Sequence, residues 1–202
     1  MSVQNGFLAL LTQGPAYGSQ LQSEFLCRAA HRRQLNPGQV YSTLDRMTDQ
    51  GLVASAGATD DGLPLYELTE NGRLAATAWL TGGPADGRPD WDEMQDQVLI
   101  AASLDGVDAA AIVDGYRTAY EERIRYLSHE ADSRALLAAN RAAELGAKAA
   151  IEWLDEVATM LAAHPRALVQ HRSPERPRRG RRPAAENGAT APAAQEDQSA
   201  NG

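Results

Sequence analysis

The sequence predicts a mainly α fold in two regions. An N-terminal unit of four helices and one β-hairpin comes first, and a wholly helical C-terminal region follows. Three observations carry this. Apolar residues recur at steps of three and four along most of the chain, the period of amphipathic helices. Two strand-like runs, "LVASAGAT" and "LPLYELT", flank the turn signal Asp60-Asp61-Gly62. Two stretches break the pattern, "TGGPADGRPD" from Thr81 to Asp90 and the Pro, Gly and Ala-rich end of the chain.

The elements follow in order. Phe7, Leu8 and Leu11 start an apolar helix that stops at Gly14-Pro15. Tyr17, Leu21 and Phe25, four apart, mark a second helix running to about Ala30. The third begins at Asn36-Pro37-Gly38-Gln39. Asn36 suits the N-cap, Pro37 the first helical position, and Gln39 completes a capping box. Gly51 suits its C-terminal cap. After the hairpin, Thr69 is a good N-cap for a fourth helix carrying Leu74, Ala78 and Trp79.

From Asp92 to Ala163 the chain reads as wholly helical. Val113, Tyr116, Tyr120, Ile124 and Leu127 form one stripe; Ala147, Ile151, Leu154, Ala158 and Leu161 form another. The second of these helices, from about Arg134 to Ala163, would be ~45 Å long. A helix of that length with a narrow stripe needs a partner, so pairing with a second copy is expected. The expected division is 1–81 for the first domain, 82–91 for a linker, 92–165 for a helical dimerisation domain and 166–202 for a disordered tail.

Of the net charge of −8, the first 82 residues hold −2, residues 83–165 hold −9, and the remainder +3. The acidity sits in the middle of the chain, so it argues against general nucleic-acid adhesion and says little about a local site. One cysteine, Cys27, excludes an internal disulfide and a thiolate metal cluster within one chain. No apolar run approaches ~18 residues, and the N-terminus has no basic-then-apolar signal. A cytoplasmic protein with no membrane partner is expected. There is no Gly-rich phosphate loop, no Gly-x-Ser-x-Gly and no His-Glu-x-x-His, and His31, His129, His164 and His171 lack ligand spacing. The expectation is no enzyme, no metal and no cofactor.

Helix, helix, helix, hairpin, helix in about 80 residues is the order of a winged helix-turn-helix domain, whose third helix most often enters the DNA major groove. The residues add a resemblance. "FLALLTQGPAYGSQLQSEF", "LNPGQVYSTLDRMTDQGLV" and "LYELTENG" together resemble the PadR family of bacterial transcriptional regulators. Four matches carry it: the Leu-rich first helix ending in Gly14-Pro15, the pair Tyr17-Gly18, the run Pro37-Gly38-x-Val40-Tyr41-x-x-Leu44 followed by Gly51-Leu52, and Tyr66-x-Leu68-Thr69-x-x-Gly72. The resemblance covers residues 3–82 and is specific in combination. It implies a homodimeric repressor on double-stranded DNA at a pseudo-palindromic operator, joined through its C-terminal helices; some members of the family release DNA when a small aromatic effector binds. The alternative is a winged-helix protein-interaction module that does not bind DNA. The wing tip departs from the family pattern, with Asp60 and Asp61 and no base.

On a helical wheel of the third helix, Val40, Leu44 and Met47 share the packing face, with Gln39, Ser42, Asp45, Arg46 and Asp49 roughly opposite. Gln suits adenine, Arg suits guanine and Ser adapts to either. Gly38 allows close backbone approach, and the helix N-terminus offers free N–H groups to phosphate. Tyr41 and Thr43 flank the face. For Tyr41, as for Tyr17, backbone contact and support of the helix both stand. The DNA-binding candidates are therefore Tyr17, Gly38, Gln39, Tyr41, Ser42, Thr43 and Arg46. Arg28, Arg32 and Arg33 are expected to add positive charge beside them, and the Arg-rich run from Arg172 to Arg182 either adds nonspecific DNA affinity or is a solvated tail. Among Trp79, Trp91 and Trp153, Trp153 is the candidate for stacking a ligand.

Overall fold

The structure, a computed structural model, describes residues 2–29, 34–83, 90–127 and 133–172. The chain runs α1 (Ser2–Leu11), β1 (Ala16–Tyr17), α2 (Gly18–Arg28), α3 (Pro37–Asp49), β2 (Val53–Ala58), β3 (Pro64–Leu68), α4 (Glu70–Thr81), α5 (Trp91–Ser103), α6 (Ala109–Tyr126) and α7 (Arg134–Ala163). It is mainly α, with a winged helix-turn-helix followed by helices. The strands form one antiparallel sheet in the order β1-β3-β2. β1 escapes sequence reading because two residues have no period. It is ordered by its pairing with β3, Ala16 opposite Tyr66 and Tyr17 opposite Leu65.

α1 is the axis of the molecule. Phe7, Leu8, Ala9, Leu10 and Leu11 are all buried, so the helix has no solvent face over its last half. Such a helix needs neighbours on every side. α2, α3 and α4 supply them on one side and α5 on the other. Phe7 meets Phe25 of α2 edge to face, with centroids 5.8 Å apart. Gly6 makes that approach possible, since a Cβ there would lie 2.5 Å from the Phe25 ring.

The expected boundary at 82–91 does not divide the core. The buried side chains form one continuous cluster, from Phe7 through Val98 and Ile100 of α5 to Leu154 and Leu161 of α7. Polar bonds cross the same line. Glu93 accepts from the Asn5 side chain (3.2 Å) and the Trp79 indole N–H (3.1 Å). Gln97, also buried, donates to the carbonyls of Trp79 and Gly82 and accepts from the Tyr116 hydroxyl. Burial, and then Glu93 and Tyr120, push the Tyr116 phenol far up.

The region from Asp92 to Ala163 is three helices rather than the two stripes the sequence suggested. α5 ends at Ser103, Gly106 turns the chain at φ +80°, and the Asp108 side chain caps α6 by accepting from Ala111 N–H at 3.0 Å. α5 is buried on so many sides that its apolar pattern gives no warning of the stop. α7 buries Ala147, Ala150, Leu154, Val157 and Leu161, chiefly against α6. Its first half, from Arg134 to Gly146, leaves Leu136, Leu137 and Leu145 exposed.

The stretch from Pro165 to Arg172 differs from the tail expected from residue 166. It lies against the end of α5 and the N-terminal unit, held by a backbone bond to Ser103 and side-chain bonds to Leu10, Gly14 and Pro15. The remainder of the Arg-rich run, with Arg176, Arg178, Arg179, Arg181 and Arg182, lies outside the described residues, as do His31, His129 and most of the expected linker. No described helix is long and apolar enough to cross a membrane.

Candidate nucleic-acid interface

α3 is fixed at both ends by its own sequence. Asn36 Oδ1 accepts from Gly38 N–H at 2.8 Å, and Pro37 takes the first helical position, where no N–H is needed. At the other end Gly51 adopts φ +65°. Its N–H reaches the Thr48 carbonyl while that of Leu52 reaches the Met47 carbonyl, the double closure of a Schellman motif. Gln22 of α2 donates to the Leu35 carbonyl at 2.6 Å and holds the approach to α3 in place.

Between those ends the helix divides by face. Val40, Thr43, Leu44 and Met47 are buried; Gln39, Tyr41, Ser42, Asp45, Arg46 and Asp49 are exposed. Asn36, Pro37 and Gly38 are exposed too, so the N-terminus of α3 is open to an approaching phosphate. Among the described residues no ion pair joins Arg46 to Asp45 or Asp49. The guanidinium is left with its planar fork of donors unspent, as a guanine or phosphate contact requires. Ser42 Oγ donates to the Gln39 carbonyl at 3.1 Å, which leaves its lone pairs outward.

Two of the sequence candidates are not on this surface. Thr43 is 2% exposed, because it lies three residues from Val40 and four from Met47 and so turns inward with them. Tyr17 is 7% exposed; it sits in β1 beside β3 and immediately precedes α2. Tyr41, by contrast, is 43% exposed. Its ring lies over Gly18, where a Cβ would come within 2.9 Å of Tyr41 Cε1.

The expected basic strip also changes. Arg28 has no exposed side-chain surface. It pairs with Glu24 at 2.7 Å and donates to Ser103 and Gln13, on the side of the unit that faces α5. Arg32 and Arg33 lie outside the described residues. One residue that sequence reading missed is Tyr66 of β3. Burial first, then the Asp45 carboxylate and Tyr41, push its phenol up, so it belongs to the same neighbourhood as the outer face of α3. Its place in the Tyr66-x-Leu68-Thr69 run was the available signal. Asp60 and Asp61 are exposed at the hairpin tip, where Thr59 Oγ1 bonds Asp61 Oδ1 and accepts from Leu63 N–H.

Trp153 of α7 is partly buried, and Trp91, at the start of α5, lies beside it with ring centroids 6.1 Å apart and planes at 52°. Trp91 is 40% exposed. A cavity of about 340 Å³ opens elsewhere, between the α5–α6 turn, the end of α7 and Pro165–Val169; neither Trp91 nor Trp153 lines it.

No curated protein sequence matches the chain. Among solved structures it is similar to PadR of Bacillus subtilis in complex with operator DNA, at 20% identity over 78% of this chain and 96% of that one, with a TM-score of 0.37. It is similar to the same protein in complex with p-coumaric acid at 18% identity, over 80% and 96% of the two chains, with a TM-score of 0.36. A PadR-like transcriptional regulator from Bacillus cereus is 17% identical over 80% and 98%, with a TM-score of 0.34. Residues 7–78, the span from α1 into α4, match the family described as "Transcriptional regulator PadR-like family", so the winged-helix domain of this chain is PadR-like.

Proposed function

We propose that this regulator is a homodimeric repressor that binds a pseudo-palindromic operator, with α3 of each protomer in the major groove. The observation that supports this most is the outer face of α3. Gln39, Ser42 and Arg46 stand exposed on a helix whose N-terminus is open and whose Arg46 is unpaired among the described residues. On this reading the exposed Gly38 and Tyr41 meet the DNA backbone beside that face, and the buried Tyr17 and Thr43 support the helix from inside. Dimerisation through the C-terminal helices fits the exposed leucines of α7. Release by a small aromatic effector fits the Trp91–Trp153 pair, where a planar ring could add to an existing aromatic contact.

The deciding experiment is a gel shift of Arg46→Ala on DNA selected by the wild type. Loss of one base contact costs ~1–3 kcal/mol, about 5- to 150-fold in affinity. Unchanged affinity would sink the assignment of α3 as the reading helix. A second reading, a winged-helix docking module that does not bind DNA, is favoured by the exposed Asp60 and Asp61, which repel phosphate. A wild type that selects no sequence from random DNA at low salt would establish it.

A further inference from the structure

We infer that Pro165–Arg172 is a clasp that fixes the orientation of the winged-helix domain on the helical module, and that Arg172 is its positioning residue. The clasp leaves the end of α7 and runs back to the N-terminal unit. Gln170 N–H donates to the Ser103 carbonyl at 3.0 Å, at the last residue of α5. The Cys27 thiol of α2 donates to Gln170 Oε1 at 3.3 Å. The buried Arg28 of α2 donates to the same Ser103 carbonyl and to its hydroxyl, both at 3.0 Å. Ser103 is thus a node where α2, α5 and the clasp meet.

Arg172 closes it. Its Nη2 donates to the Leu10 carbonyl at 2.7 Å, and its Nη1 to the carbonyls of Gly14 and Pro15 at 3.0 and 2.9 Å. Leu10 lies in the last turn of α1, where carbonyls project and a cation is favoured by the helix dipole. Pro15 immediately precedes β1, which pairs with β3 of the wing, and β1 leads into Gly18, on which Tyr41 of α3 rests. The chain from Arg172 to the reading face is therefore one bond and a few residues long.

Two arginines, Arg28 and Arg172, share this half-buried place with one carboxylate, Glu24, and Arg172 Nε is buried with no partner among the described residues. Apolar side chains would seal such a seam with less desolvation. What a guanidinium adds is direction. Its planar fork meets three carbonyls of fixed spacing in one relative orientation, whereas apolar contact tolerates sliding. In a dimer that orientation sets the distance between the two copies of α3, and so the half-site spacing the protein accepts.

The consequence for spacing rests on the DNA-binding reading above; the clasp itself does not. The test uses the full-length protein with Arg172→Ala, Arg172→Lys and Gln170→Ala. Amide hydrogen exchange from Gly14 to Tyr17 should speed up by about tenfold or more in Arg172→Ala, with Arg172→Lys intermediate. Selection from a library of half-sites with randomised spacing should give one spacing for the wild type and several for Arg172→Ala, with the same half-site sequence. Exchange that stays at the wild-type rate overturns the clasp. Faster exchange with an unchanged spacing overturns the positioning role. If the wild type selects no DNA, the DNA-binding reading fails and the exchange rates alone decide the clasp. Should Arg172→Ala fail to fold, Arg172→Lys and Gln170→Ala give the same two measurements.

Discussion

A Cβ on Gly18 would lie 2.9 Å from Cε1 and 3.2 Å from Cζ of Tyr41, and 3.4 Å from Leu44 Cδ1. The nearest obstacle is a ring with an exposed edge, so it can swing away. Gly18→Ala is therefore expected to change stability by no more than about 1 kcal/mol, since Ala at a helix start is also favoured by propensity. It should nevertheless move Tyr41 off its seat and weaken operator binding by about threefold to tenfold, the worth of one neutral hydrogen bond. Thermal melts and gel shifts on the same sample separate the two effects; a loss of stability with intact affinity would show that Tyr41 does not contact DNA. Gly72 is the contrasting case. There a Cβ would overlap the Leu52 carbonyl oxygen, and backbone cannot swing. That carbonyl already accepts from Thr69 N–H at 3.0 Å and lies 3.1 Å from the Thr69 hydroxyl, so α3's exit, the end of β3 and the start of α4 are locked at one point. Gly72→Ala should cost about 3 kcal/mol, at the upper end of overpacking, and show in chemical denaturation as a lower midpoint. A midpoint within error of the wild type would mean that α4 can shift away from Leu52.

Among the elements, α3 was the most legible. Its N-cap, first-turn proline and terminal glycine all work through bonds made within a few residues, and local chemistry is what a sequence displays. Asn36→Ala tests how much of the helix depends on that chemistry. Removing the acceptor for Gly38 N–H should destabilise the protein by about 1 kcal/mol and fray the first turn, which carries Gly38 and Gln39. Affinity for DNA should then fall by more than stability does, and circular dichroism against gel shift would show it; equal losses would place the first turn outside the contact surface. The hairpin and α4 were legible for the same reason, through Gly62 at φ +79° and the Thr69 cap on Gly72 N–H. What stayed hidden depends on distant partners. β1 exists because β3 lies beside it, and Arg172 is ordered by carbonyls about 160 positions earlier. Arg28 read as surface charge because Ser103 and Gln13, which accept from it besides Glu24, lie far from it in sequence. Thr43 was a different kind of miss: its spacing from Val40 and Met47 put it on the buried face, and its polar character concealed that.

At the scale of the whole molecule, the unfinished surface is the first half of α7. From Ala147 onward the helix packs on α6, but before it Leu136, Leu137 and Leu145 stand 47%, 39% and 50% exposed on a segment that touches little else. Leu137 and Leu145 lie about two turns apart on one side, the spacing at which a second helix could cover both. The same exposure makes the test clean. Leu137→Asp with Leu145→Asp alters only side chains outside the buried core, so the monomer should keep its fold and melting temperature. The wild type is expected to sediment at twice 21.7 kDa and the double variant at once that mass. Operator affinity should fall steeply in the variant, because a lone reading head contacts one half-site and loses the second as a tethered, effectively intramolecular contact. A double variant that remains dimeric and fully active would move the interface elsewhere, and with it the geometry that α3 and the Arg172 clasp are proposed to serve.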